Sequence, residues 1–246
     1  MPVIFVLVAR EVRAYARQPR TLCAMVLLAA FLANAGRAIV ALSPLVHLNI
    51  VSQHGAAVNL SGHQALAQSA LVWIGLLPVL FSAQQAAIAI AAERERRSLT
   101  ALLAAPVSLY AILCAKLAGS LAPGALMLTV SYAVYLASIA SAAPGAAAWL
   151  PLPLVLAVVG LLLGLSLFMN SVALLISALA PTVAEASIAA TFVLLPVSFA
   201  VAALSVKVTD LGPGPLAALA LLAAGGSALV LIAAGRFLGR GRLLMV

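Results

Sequence analysis

Long apolar runs separated by short polar breaks make up almost the whole chain. Six of these runs reach the ~20 mainly apolar residues that a helix needs to cross a bilayer. They are Thr21–Ser43, Ser69–Ala92, Ile112–Ala140, Pro151–Leu179, Ser187–Val206 and Leu216–Arg236. An even number puts both ends of the chain on one side. Ahead of the first run, "VIFVLVAREVRAYARQPR" sets Ile4, Leu7, Val8, Glu11, Val12 and Tyr15 at helical spacing, with Arg10, Arg13 and Arg17 on the other flank. That pattern predicts an interfacial amphipathic helix over residues 1–20, ended by Pro19 before the chain enters the bilayer. The fold class expected is all-α, a polytopic membrane protein forming one transmembrane domain over residues 1–246. Because a full-length span follows the basic opening, no cleavable signal peptide is expected.

Composition agrees with the pattern. The chain is 66% hydrophobic and 7% charged, with a mean hydropathy of +1.25, which excludes an ordinary soluble domain. Ala, Leu and Val dominate and aromatics are few, which suits small-residue helix contacts in lipid better than a β-barrel. The formal charge of +8 does not point to nucleic acid, because the basic residues sit at the ends of apolar runs rather than along a polar face. Arg10, Arg13, Arg17, Arg20, Arg94, Arg96, Arg97, Lys116, Arg236, Arg240 and Arg242 all fall on one side of a six-span arrangement. By the positive-inside rule that side is cytoplasmic, leaving Arg37 and Lys207 toward the other.

Polar residues that could carry chemistry are few. His47, His54 and His63 share the predicted outer loop Pro44–Gln68, but their spacing fits no compact ligand set and no carboxylate accompanies them, so no metal site is expected. Cys23 and Cys114 read as small apolar fillers. No phosphate-binding loop is present: neither Lys116 nor Lys207 follows a glycine. There is no HExxH or GxSxG, no carboxylate pair at one level of the bundle, and hence no expected catalytic residue or cofactor. The five acids, Glu11, Glu93, Glu95, Glu185 and Asp210, lie at predicted interfaces, so a proton relay has no carrier. Arg37, Gln84, Gln85 and Asn170 are candidates for a pathway or gate, or else an interface anchor and helix–helix contacts. Pro181 ends the fourth run; Thr182 or Glu185 caps the fifth, with Glu185 alternatively a second contact for a partner on the inner side.

The densest polar knot is "ERERRSLTALLAAPVSLYAILCAK", Glu93 to Lys116. Leu99, Leu102 and Leu103 form one apolar stripe, Glu93 pairs at helical spacing with Arg96 or Arg97, and Pro106 stops the helix, so a short amphipathic helix is expected within Ala92–Tyr110. Such a helix either docks in the groove of a soluble partner or lies on the membrane surface. The run resembles the loop after the second span in permeases of type-2 ATP-binding-cassette exporters, through Glu93, Arg94, Glu95, Ser98, Leu99, Leu102, Leu103, Pro106 and Lys116. That resemblance implies a cytoplasmic coupling helix, in the segment 93–110, docking on a separate ATPase subunit. Two positions depart from the family: Arg97 stands where Gly is usual, and Thr100 where Glu is usual.

The resemblance extends in outline to the whole chain, with an interfacial opening helix, six spans and both ends inside. It implies export across the bacterial inner membrane by a homodimer or a pair with a paralogous permease, using ATP hydrolysed by the ABC ATPase partner. Between the fifth and sixth spans "VKVTDLGPGP" is barely a turn, shorter than the outer segment of drug- and polysaccharide-type relatives, and the compact chain is also similar to haem-exporter permeases of cytochrome c maturation. The Ala, Leu and Val lining expected between spans one, two and five suits an amphipathic or lipid-like cargo. A lipid-modifying membrane enzyme and a scaffold subunit remain as alternatives.

Overall fold

The computed structural model describes residues 62–97, 108–142 and 149–237, together with 6, 9, 10, 23, 27, 31, 34, 38, 50, 51, 57 and 58. Its long helices are α1 (Gly62–Ile88), α3 (Leu109–Ala142), α4 (Leu152–Leu179), α5 (Val183–Leu204) and α7 (Pro213–Phe237). The short α2 (Ala91–Glu95) follows α1, and a single 3-10 turn (Ser205–Lys207) and α6 (Val208–Leu211) follow α5. Among the described residues five helical segments are long and apolar enough to cross a membrane. They correspond to the second to sixth expected spans. The first, Thr21–Ser43, lies mostly outside the described residues; Cys23, Leu27, Phe31, Asn34 and Ala38 within it are helical.

Where the boundaries differ from expectation, local chemistry explains the shift. α1 starts at Gly62 rather than Ser69, taking the end of the predicted loop into the helix. The polar Gln68 tolerates this because its amide donates to the Trp149 carbonyl at 2.9 Å, satisfying a side chain that is almost fully buried. Earlier in that loop Ile50–Val51 (β1) pairs antiparallel with Ala57–Val58 (β2), in the register Ile50 to Val58 and Val51 to Ala57. α5 starts at Val183 because Thr182 caps it, its hydroxyl accepting the Glu185 N–H at 3.2 Å. Residues 205–211 form two helical turns rather than a bare turn, and the buried Val208 joins the core. Gly212, at φ +67°, then reverses the chain, and α7 starts at once on Pro213, where the missing N–H costs nothing. Cys23 and Cys114 are free thiols exposed on their helices.

α1, α3 and α4 form the centre, with α7 packed along α4 and α5 along α1. Apolar tails give helices in lipid no hydrophobic drive to associate, so close packing and internal hydrogen bonds must hold the bundle. Small residues allow the first: Gly75 meets Leu162 and Tyr132, Gly124 meets Ser82, and Gly164 meets the backbone of Ala220. Tyrosines supply the second. From α3, Tyr132 donates to the Leu71 carbonyl at 2.7 Å and Tyr135 to that of Ala67 at 2.9 Å.

Candidate functional site

Polar chemistry gathers at the end of the bundle where α1 stops, α3 starts and α4 turns into α5. α1 breaks at Ala89–Ile90, and the break is built rather than frayed. The buried Ser177 hydroxyl of α4 accepts both the Ile90 N–H (3.0 Å) and the Ala91 N–H (3.1 Å), replacing backbone carbonyls at the interruption. The helix then resumes as α2 and carries three consecutive charged residues, each with a different task.

Glu93 faces α3. Its Oε1 accepts from the Lys116 ammonium at 2.6 Å, and Arg10 approaches the same oxygen at 3.7 Å. Lys116 is 8% exposed and Glu93 16%, whereas Arg10 is 60% exposed, so the first contact is an internal ion pair and the second a rim contact. Arg94 faces the end of α4, its guanidinium donating to the carbonyls of Ala178 (2.9 Å) and Ala180. Glu95 faces the start of α5, where its carboxylate accepts the Val183 N–H at 2.7 Å.

α2 closes at Glu95. Arg96 caps it, and Arg97 takes the left-handed conformation at φ +56°, its N–H bonding the Arg94 carbonyl at 3.0 Å. The expected continuous helix from Ala92 is therefore interrupted after one turn, because a left-handed residue cannot propagate a right-handed helix. This is the position where the resembling permeases usually have Gly, the residue that adopts such a φ without penalty. An L-residue there costs about 1–2 kcal/mol of strain, against about 0.5–1 kcal/mol of extra chain entropy that Gly would lose on folding. Arg97→Gly is accordingly expected to stabilise the chain by about 0.5–1 kcal/mol, read as a rise in the thermal unfolding midpoint in nanodiscs. A fall in that midpoint would contradict the strain assignment.

Of the other sequence candidates, Ser98, Leu99, Leu102, Leu103 and Pro106 lie outside the described residues, as do Arg37, His47 and His54. Glu185 sits in the first turn of α5, near the helix's positive end, with Thr182 as the cap. Asn170 is fully buried in α4, where its amide donates to Ser82 Oγ (2.9 Å) and to the Ser166 carbonyl (2.7 Å), while Ser82 and Ser166 touch through their hydroxyls at 3.1 Å. Its Oδ1 has no hydrogen-bond partner among the described residues. Gln84 reaches α5, donating to Thr191 Oγ1 at 2.9 Å and accepting from Ser187 at 3.3 Å. Gln85 is half-buried beside it. Asn170 and Gln84 thus stand in separate clusters, one between α1 and α4 and one between α1 and α5.

Gln84 and Thr191 mark one end of an open groove of ≈330 Å³ between α1 and α5. Its walls are apolar, with Trp73, Leu76 and Leu80 on one side and Leu194, Leu195 and Phe199 on the other. At 1.5 Å per residue, the stretch from Trp73 to Gln84 makes it about 16 Å long. Among the described residues no cluster of His, Cys, Asp and Glu could hold a metal ion.

The family model described as ABC-2 family transporter protein matches residues 5–233, nearly the whole chain. The chain belongs to the ABC-2 transporter family. No curated protein and no solved structure matches it. As an ABC-2 permease it is the membrane component of a transporter, and its five described apolar helices agree with a multi-pass membrane protein. The residues that the sequence left unremarked at the basic end of this permease are Ser177, Ala178, Ala180 and Val183. Three of them act through the main chain, which carries no side-chain signal, and Ser177 looks like any serine in an apolar helix.

Proposed function

We propose that this permease exports an amphipathic or lipid-like molecule across the bacterial inner membrane, working as a pair of copies, each driven by a separate ABC ATPase. The observation that carries this reading is the fixed exit of the inner loop. Glu93, Arg94 and Glu95 are bound to α3, α4 and α5 respectively, so the segment leaving them, with Ser98, Leu99, Leu102, Leu103 and Pro106, starts from a point held by three helices. An ATPase that docks on the Leu99–Leu102–Leu103 stripe then pushes on the bundle rather than on a slack loop. Closure of two ATPases on ATP tilts the helices and moves the cargo cavity from inner to outer access, a rigid-body transition between two states. Glu185, beside the anchored reversal, is the second contact on the same side.

The groove between α1 and α5 supports the class of cargo. Its apolar walls and its Gln84–Thr191 end suit a molecule with a hydrocarbon body and a polar head, and a second copy facing it would enclose a path. Arg37, Gln85 and Asn170 are carried as further pathway candidates. No residue is assigned to catalysis, a cofactor or a metal.

The test is whether a neighbouring gene encodes an ABC ATPase and whether that ATPase co-purifies with the permease. Leu99→Asp with Leu102→Asp is expected to abolish the complex while the permease still inserts and folds, because two buried charges in an apolar groove each cost several kcal/mol. Unchanged binding would refute the docking assignment. Stimulation of the reconstituted complex by haem, lipids and cationic drugs then identifies the cargo.

A further inference from the structure

The reversal between α4 and α5 is gripped at both ends by neighbouring residues of α2. A helix ends with carbonyls that lack intrahelical partners and starts with N–H groups that lack them, and the two ends carry partial charges of opposite sign. Arg94 meets the carbonyl end of α4, through Ala178 and Ala180. Glu95 meets the N–H end of α5, through Val183 at 2.7 Å. Each charge is matched to the pole it touches, and both bonds are charge-assisted, the stronger kind. Behind them Ser177 ties the same stretch of α4 to the backbone of Ile90 and Ala91. Beneath them Ile90 and Ala178 share one apolar cluster with Leu113, Leu117, Leu174 and Ala234, so the joint is packed as well as bonded.

We propose that Arg94 and Glu95 are positioning residues that clamp α2 to the α4–α5 reversal, so that movement of the inner loop passes directly into α4 and α5 as one rigid body. The idea rests on the coupling reading above for its functional half, but its structural half concerns the permease alone. Without the clamp, the only covalent route from the loop into the bundle runs up α1 or down α3. With it, one push reaches α1, α4 and α5 together, and α1 and α5 are the two walls of the groove. The consequence is that both walls start to move in the same step.

The test uses the full chain in nanodiscs, with Cys23→Ser and Cys114→Ser removing the two native thiols. Spin labels are placed at two exposed positions, Arg96→Cys after α2 and Ile188→Cys on α5. In the permease alone the label distance is expected to be narrowly distributed, and Arg94→Gln with Glu95→Gln is expected to broaden it. A distribution that stays equally narrow in the double variant overturns the clamp, whatever the partner does. With the ABC ATPase added, the parent distance is expected to stay constant between the nucleotide-free and the ATP-vanadate states, and a distance that changes while transport proceeds also overturns it. The double variant is expected to lose at least about tenfold in cargo moved per ATP hydrolysed, the scale of a single charge-assisted bond. Arg94→Lys, which keeps the charge and one carbonyl contact, is expected to recover part of that ratio, which a defect in folding alone would not predict. If the ATPase fails to bind even the parent chain, the coupling reading fails, while the nanodisc measurement still decides the clamp.

Discussion

Replacing Gly164 by Ala will lower the stability of the folded permease, while the same change at Gly160, one turn earlier in α4, will raise it. A Cβ on Gly164 would lie 2.5 Å from the Ala220 carbonyl oxygen and 3.2 Å from its carbon. Those are backbone atoms of α7, which cannot rotate aside as a side chain would, so the two helices must separate. Among the described helices α4 and α7 share the most extensive contact, and in lipid its strength comes from close packing. Overpacking of a fixed interior costs about 1–3 kcal/mol, with Gly164→Val at or above the upper end. At Gly160 none of the described residues lies within 4 Å of the added carbon, and the ordinary gain of about 0.5–1 kcal/mol for Ala over Gly inside a helix remains. Thermal unfolding midpoints of the purified variants in nanodiscs give the two signs. Equal shifts at both positions would mean that α4 and α7 do not approach as described.

The same contrast explains which features the sequence made legible. The limits of α4 were readable to within one residue, because Pro151 stands before the first turn and Pro181 follows the last, and each restricts the backbone next to it. α5 and α7 start earlier than their apolar runs do. Thr182 and the first-turn Glu185, the expected caps, start the helix at Val183, ahead of the apolar run that begins at Ser187. "VKVTDLGPGP" reads as barely a turn, yet within its GPGP end only Gly212 turns the chain, and a proline in a first turn sacrifices no hydrogen bond. At the site, the charge of the Glu93–Arg97 knot was plain from the residues, but its targets were not. Arg94 and Glu95 bind main-chain groups, which every residue possesses, so no pattern of side chains could point to Ala178, Ala180 or Val183. The one sequence signal was the departure at Arg97, where a bulky residue occupies a place that backbone geometry reserves for Gly.

Lys116→Met will destabilise the permease by about 3 kcal/mol, and adding Glu93→Gln will restore most of the loss. The reason is asymmetry. Attraction between charges held at 2.6 Å, one of them 8% exposed, is offset by the cost of removing both from water, so the intact pair contributes little net stability. Deleting the ammonium alone removes the closest countercharge from a largely buried carboxylate, 16% exposed, and with it much of the compensation for its desolvation. Arg10 does not rescue it, because that guanidinium is 60% exposed and 3.7 Å away, where water screens the contact and its worth is about 1 kcal/mol or less. Arg10→Ala should therefore cost under about 1 kcal/mol, and the order Lys116→Met, then the double variant, then Arg10→Ala ranks the losses. Denaturant unfolding in nanodiscs supplies a double-mutant cycle for Glu93 and Lys116. Additive single losses would show that the carboxylate is held by something other than Lys116. The pair's value then lies in geometry: with Glu93 tied to α3, the next two residues of α2 are turned toward α4 and α5.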